Sequence, residues 1–187
     1  MASSFEIKST RPSVGETIVT IVRDHIDYRK QIFKLAGSDL RRTYRASALG
    51  WSWAIIKPLV TIFVYWFAFA IGLRRGGDIE GYPFVLWLIS GIVPWFYMSE
   101  MLTLGTECIL RNRYLVTKMK YPVSTIPTFT SISKFSVHLI LMMITILIFV
   151  ITGNELTIYL VQLPFYMLCN FLFFTGWAMF AAPIAAI

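Results

Sequence analysis

Asp24 and Asp27, three residues apart in DHID, are the nearest approach in this chain to a metal-dependent motif. Such a pair can hold magnesium on a diphosphate in prenyl-transfer chemistry, but one unaccompanied copy reads more readily as a solvated helix start. Further along, Glu100, Glu107, Lys134 and His138 stand within or beside apolar runs. A charge there costs at least about 2.5–3.5 kcal/mol. Glu107 and Lys134 fall close enough to a span end to reach water. Glu100 and His138 fall deeper and suit either a helix–helix hydrogen bond or a proton path. Arg41, Arg42 and Arg45 form a cationic cluster suited to phosphate, whether of anionic lipid or of a diphosphate substrate. Other chemistries are absent from the sequence. There is no GxxxxGKS/T and no Gly–Lys pair anywhere, which excludes a P-loop. HExxH, GxSxG and metal-spaced Cys/His clusters are also missing, so no catalytic residue and no metal site is assigned. Cys108 and Cys169 lack CxxC spacing and read as buried or reduced packing residues.

The elements that must position these residues are mostly membrane spans. Of 187 residues, 57% are hydrophobic and 14% charged, and the mean hydropathy is +0.66. A soluble domain carries about a quarter charged residues, so an all-α membrane protein is expected. Its parts are an N-terminal interfacial amphipathic helix and four transmembrane helices, at about residues 53–73, 82–108, 127–151 and 157–180. This divides the chain into a cytosolic or interfacial region, 1–52, and a transmembrane domain, 53–187. The net charge of +7 does not indicate nucleic acid. Nine of the seventeen Lys and Arg precede Trp51 and four more lie in Arg111–Lys120, each group flanking an apolar span. Anionic lipid and the positive-inside rule account for both groups, and place the N-terminus and the 111–120 segment in the cytosol. Tyr28, Ile32, Ala36, Leu40 and Tyr44 recur every four residues, reinforced by Phe33 and Leu35, on a helix from about 17 to 48. Gly37–Ser38–Asp39 is expected to break it in two, with Ser38 or Asp39 as the cap. Gly91 and Pro94 predict a kink or break in the second span. Tyr65 and Phe69, one turn apart in an aromatic first span, suit a slippery lining for a sugar or polyprenyl chain, with core or lipid packing as the plainer role. The apolar ending Ala181–Ile187 reads as a chain cut inside a longer protein.

The order of these pieces carries a resemblance. A basic amphipathic helix leads into LRRTYRASALGWSWAIIKP, followed by an aromatic span, GIVPWFYMSE and NRYLVTKMKYP. From about Asp24 onward this resembles the permease subunit of type-2 ABC exporters, in particular those exporting lipid-linked surface polysaccharides such as O-antigen and wall teichoic acid. The resemblance implies six spans per subunit, against four here, and a homodimer around a central conduit. It implies a bacterial cytoplasmic membrane location, a lipid-linked glycan substrate and two separate ATPase subunits that bind ATP and Mg, leaving this chain without a cofactor. The helix around Tyr28–Ala36, with Phe33, corresponds to an interfacial gate, and Arg41, Arg42 and Arg45 to the level of the substrate headgroup. Glu107–Lys120 corresponds to an ATPase-coupling segment, with Glu107, Arg111, Asn112, Arg113, Tyr114 and Lys118 as its contacts. Tyr65, Phe69, Trp95 and Phe96 are the expected conduit lining. The alternatives are an enzyme acting on polyprenyl diphosphates through Asp24 and Asp27, or a proton-coupled carrier through Glu100 and His138.

Overall fold

The computed structural model describes residues 13–44, 50–72, 77–79, 81–119, 121–153 and 158–187. Arg45, Lys120 and residues 154–157 lie outside the described residues, as do the side chains of Tyr44 and Trp51. Among the described residues, regular structure is helical apart from one isolated bridge between Ile79 and Tyr82.

Helix α1 is Val14–Asp27. Ser13 starts it through a capping box: its hydroxyl accepts from the Glu16 N–H while the Glu16 carboxylate accepts from the Ser13 N–H. The helix ends at Tyr28 (φ −98°, ψ 11°), and α2, Arg29–Tyr44, follows at once. The expected break at Gly37–Ser38–Asp39 is therefore wrong, since α2 runs through it. Helix propensity is a weak prior, and here packing overrides it. Ile32 and Ala36 are each 4% exposed, in a core cluster with Phe129 at the start of the third span. Leu40, beyond the expected break, packs against a second buried cluster that includes Ala54 and Val137, so the helix is held on both sides of Gly37–Asp39. Leu35 joins the same cluster, but Phe33 points away and is exposed.

Four helical stretches are long and apolar enough to cross a membrane: Trp53–Gly72, Phe84–Gly105, Val123–Ile151 and Ile158–Ala185. The first is α3, Trp53–Trp66, continued by a π-helical turn at Phe67–Gly72. The second is α4, Phe84–Glu100, continued by a π-helical turn at Met101–Gly105. Pro94 does not break α4; the departure from α geometry comes seven residues later. A proline removes one backbone bond and leaves the Ser90 carbonyl without its usual partner. Val93 and Tyr97, on either side of it, are buried and hold the helix in place.

The fourth span packs closely at the π turn. A Cβ on Gly105 would come within 3.2 Å of Ala178 Cβ and 3.0 Å of Met101 Cε. Small residues at helix crossings are how spans approach in lipid, where apolar side chains gain nothing by leaving the hydrocarbon. Between the second and third spans lie α5, Cys108–Arg111, and α6, Arg113–Met119. The basic segment between these spans is thus a pair of short helices. The third span contains α7, Ile126–Ile151, and the fourth α8, Leu163–Ala185.

Helix α7 is the centre of the bundle, packing on α2, α4 and α8. A buried chain of hydroxyls joins three of these elements. Thr175 donates to the Phe171 carbonyl at 2.7 Å. Its oxygen must therefore accept from Ser131 at 2.6 Å, and Ser131 in turn accepts from Tyr97 at 2.9 Å. Phe135, His138 and Phe174 surround the Tyr97 ring at centroid distances of 5.5, 5.4 and 6.2 Å.

Gly105→Val is expected to cost about 1–3 kcal/mol by overpacking against Ala178, and to lower the thermal midpoint of the purified protein. Gly91→Ala, whose Cβ meets nothing within 4 Å, should leave that midpoint unchanged or raise it.

Candidate functional site

Three groups of residues come together around this bundle. The first joins α2 to the segment between the second and third spans. His25 holds the joint between α1 and α2: its Nδ1 lies 2.7 Å from the Ile21 carbonyl and its Nε2 2.8 Å from the Thr128 hydroxyl. Beside it, Ser124 donates to Asp24 Oδ2 at 2.7 Å, and Tyr28 meets Tyr121 edge-on at 5.5 Å. The joint is therefore fastened to the head of the third span. Asp24 is engaged there, and Asp27 pairs with Arg23 at 3.6 Å. The two carboxylates thus serve the helix and its anchor, and among the described residues no group of three His, Cys, Asp or Glu could hold a metal ion.

Further along α2, Arg42 lies over the Tyr114 ring at 5.9 Å, a cation–π contact between α2 and α6 worth about 0.5–1 kcal/mol where exposed. Arg41 is exposed, and Arg45 lies outside the described residues. On α5 and α6, Arg111, Arg113, Tyr114 and Lys118 are exposed. Glu107 pairs with Arg111 at 3.9 Å, both well solvated. Asn112 differs from its neighbours: it is buried at 5% exposure and donates to the Cys108 carbonyl at 2.9 Å. It closes α5 rather than facing outward. Cys108 beneath it is buried, and its thiol is pushed up to about 12 by that burial. Cys169 is exposed, and both cysteines are free, so neither takes part in a disulfide.

The second group is an aromatic groove of about 520 Å³ between the first and second spans. Tyr65, Phe69 and Trp95 line it, together with Trp87 and Gly91. Phe96 does not; it lines a different cavity. The residues predicted as one lining are thus divided, because Trp95 and Phe96 are adjacent and so about 100° apart around α4. The first span is also the least covered: only 11% of its most apolar window is buried.

The third group is that other cavity, about 240 Å³ between α3, α4 and α7. Lys57, Glu100, Lys134 and His138 line it. Lys134, expected to reach water, is instead buried and pairs with Glu100 at 3.8 Å. Tyr97 and Ser131, which sequence reasoning passed over, form the polar centre beside it. Each is ordinary in a span, and only the meeting of three helices distinguishes them.

A sequence profile for the ABC-2 type transporter family matches residues 30–186. The O-antigen export system permease protein RfbA of Myxococcus xanthus is 29% identical over 130 residues, 68% of this chain and 48% of that protein. A protein of the same name from Klebsiella pneumoniae is 28% identical over 93 residues, 50% of this chain and 34% of its own length. The chain therefore spans about half the length of the first of these relatives and a third of the second.

In a Cys169→Ala background, Cys108 should resist a water-soluble maleimide at about pH 8 while folded and react once unfolded, because only the thiolate attacks. Rapid labelling of the folded protein would mean that α5 opens readily.

Proposed function

The chain belongs to the ABC-2 type transporter family, and from that premise we propose that it is the membrane-spanning part of an ATP-driven exporter for lipid-linked surface polysaccharide. The relatives named as O-antigen export permeases support that substrate class. The membrane is the bacterial cytoplasmic membrane, with the N-terminus in the cytosol. Two copies of the chain surround the conduit, and two ATPase subunits dock beneath them, supplying the ATP and magnesium sites.

The observation that carries this reading is the physical connection between the exposed basic pair α5–α6 and the bundle. Arg111, Arg113, Tyr114 and Lys118 offer a cationic, partly aromatic surface to a partner. Arg42 on Tyr114 joins that surface to α2, and α2 packs on the third span through Ile32 and Ala36. A push on α5–α6 therefore reaches both the interfacial helix and the bundle centre. Rigid packed elements with two arrangements can transmit such a push. Arg41 and Arg42 stand at the level where a substrate diphosphate meets the headgroups. The thinly covered first span, with Tyr65 and Phe69 on the aromatic groove, supplies the surface for the conduit. Aromatic faces accept sugar rings without fixing them by directional hydrogen bonds.

The test uses the full-length protein co-expressed with its ATPase. Arg111→Glu combined with Arg113→Glu is expected to reduce ATPase co-purification by about tenfold or more, as rim charge reversal costs on the order of a kcal/mol or more. The thermal midpoint of the permease should not change. Undiminished ATPase binding and export in this variant would rule out the coupling role.

A further inference from the structure

Lys134 is in an unusual position. Its side chain is 6% exposed in a span-forming helix, and Glu100, its one charged partner among the described residues, is 3.8 Å away and 41% exposed. That separation is too long for a hydrogen bond. Among the described residues its ammonium makes no hydrogen bond and stays open to the adjoining cavity, where further acceptors can reach it. Asp39 and Arg111 line a small crevice on the other side of Lys134, about 50 Å³, and bring one charge of each sign. Lys57 joins Lys134 on the wall of the larger cavity, giving that space two ammonium groups to one carboxylate. His138 is 3% exposed there, and its Nδ1 is buried without a partner. His138 Nδ1 is the buried orphan on this wall, and with two ammonium groups open to the same space the cavity has room and charge for a polar occupant.

Two ammonium groups exclude a cation and favour an anion with several acceptor oxygens. Depth narrows the choice further. Lys57 lies four residues beyond the start of α3, about 6 Å along it, and Lys134 eight residues into α7, about 12 Å along it. Lys57 falls just below the headgroup level on the side from which the first span starts, and Lys134 about one helical turn deeper on that side, so the cavity they share reaches up toward the lipid phosphates, the abundant anions there. Thr61, Tyr97 and Ser99 add hydroxyls to the lining, and the rest, including Val93, Val137 and Leu141, is apolar and suits a hydrocarbon chain.

We propose that this cavity binds the phosphate of a membrane lipid, with Lys57 and Lys134 as its cationic contacts and the α4–α7 wall taking the start of the lipid chain. Glu100 then acts as the internal counter-ion that the lipid displaces from Lys134. The lipid is either a bulk anionic phospholipid or a polyprenyl diphosphate; the second source rests on the exporter reading above, the first does not.

The experiment measures lipid retention by native mass spectrometry on the full-length protein with its ATPase. The probes are phosphatidylglycerol, undecaprenyl diphosphate and, as a phosphate-free control, diacylglycerol. Wild type should retain one or both phosphate lipids and not diacylglycerol, and Lys57→Gln should weaken retention about tenfold, the size of one charge-assisted contact. Lys134→Gln alone would leave Glu100 unpaired, so the charge-neutral pair Lys134→Gln/Glu100→Gln is used, with the thermal midpoint as the check on folding; it should lose the lipid while staying folded. Glu100→Gln alone should raise retention, because it removes the competing carboxylate, whereas a purely structural ion pair would make it fall. Preference for phosphatidylglycerol assigns the site to bulk lipid, and preference for undecaprenyl diphosphate to the carrier. Equal retention of diacylglycerol, or unchanged retention in Lys57→Gln and the double variant, would overturn the inference. ATPase co-purification is read in parallel, so failure of this site and failure of the exporter reading are separable.

Discussion

The bundle depends on the run of hydroxyls from Tyr97 through Ser131 and Thr175 to the Phe171 carbonyl. It is the place where the second, third and fourth spans share polar contacts, and its direction is set by its last acceptor. In hydrocarbon, moving an apolar side chain from lipid to protein gains little, so spans are held by close packing and by such hydrogen bonds. Each bond contributes on the order of 0.6 kcal/mol, and specificity matters more than the sum. A span rotated by one residue would leave hydroxyls buried without partners. Gly105 and Ala178 add the steric half of the same constraint, letting the π turn of the second span lie against α8.

From that centre the rest of the arrangement follows outward. Helix α7 is fixed by α4 and α8 on one side and carries α2 on the other through Ile32, Ala36 and Phe129. At its head, Ser124, Thr128 and the nearby Tyr121 fasten the joint of α1 and α2. The exposed basic pair α5–α6 is connected to the same α2 by Arg42 and Tyr114. Helix α2, the basic pair α5–α6 and the bundle centre are thus linked through one span. The Lys134–Glu100 pair lies between these parts, with the Asp39 crevice on one side and the larger cavity on the other.

The two charged residues of that pair illustrate where reading in one dimension stops. Their presence in apolar runs marks them as unusual on cost alone. Their pairing does not follow, since Lys134 is near enough to a span end to be assigned to water. Gly37–Ser38–Asp39 carries three poor helix formers, yet α2 passes through because its buried face rewards continuity. Trp95 and Phe96 share a motif but face different cavities, and Asn112, in a basic segment that suits a docking surface, turns inward to cap α5.

What the sequence by itself determined is the all-helical membrane character, the four spans with their approximate limits, and the two basic patches that flank them. Those follow from length, hydropathy and charge, which are properties of one segment at a time. Only the tertiary structure decided which side of each span is buried, where α1 and α2 meet, and that Tyr97, Ser131 and Thr175 form one chain. The reason is physical: a transmembrane helix is apolar toward lipid and toward its neighbours alike, so the hydrophobic pattern that reveals the core of a soluble helix is missing, and only the meeting of helices tells the two faces apart.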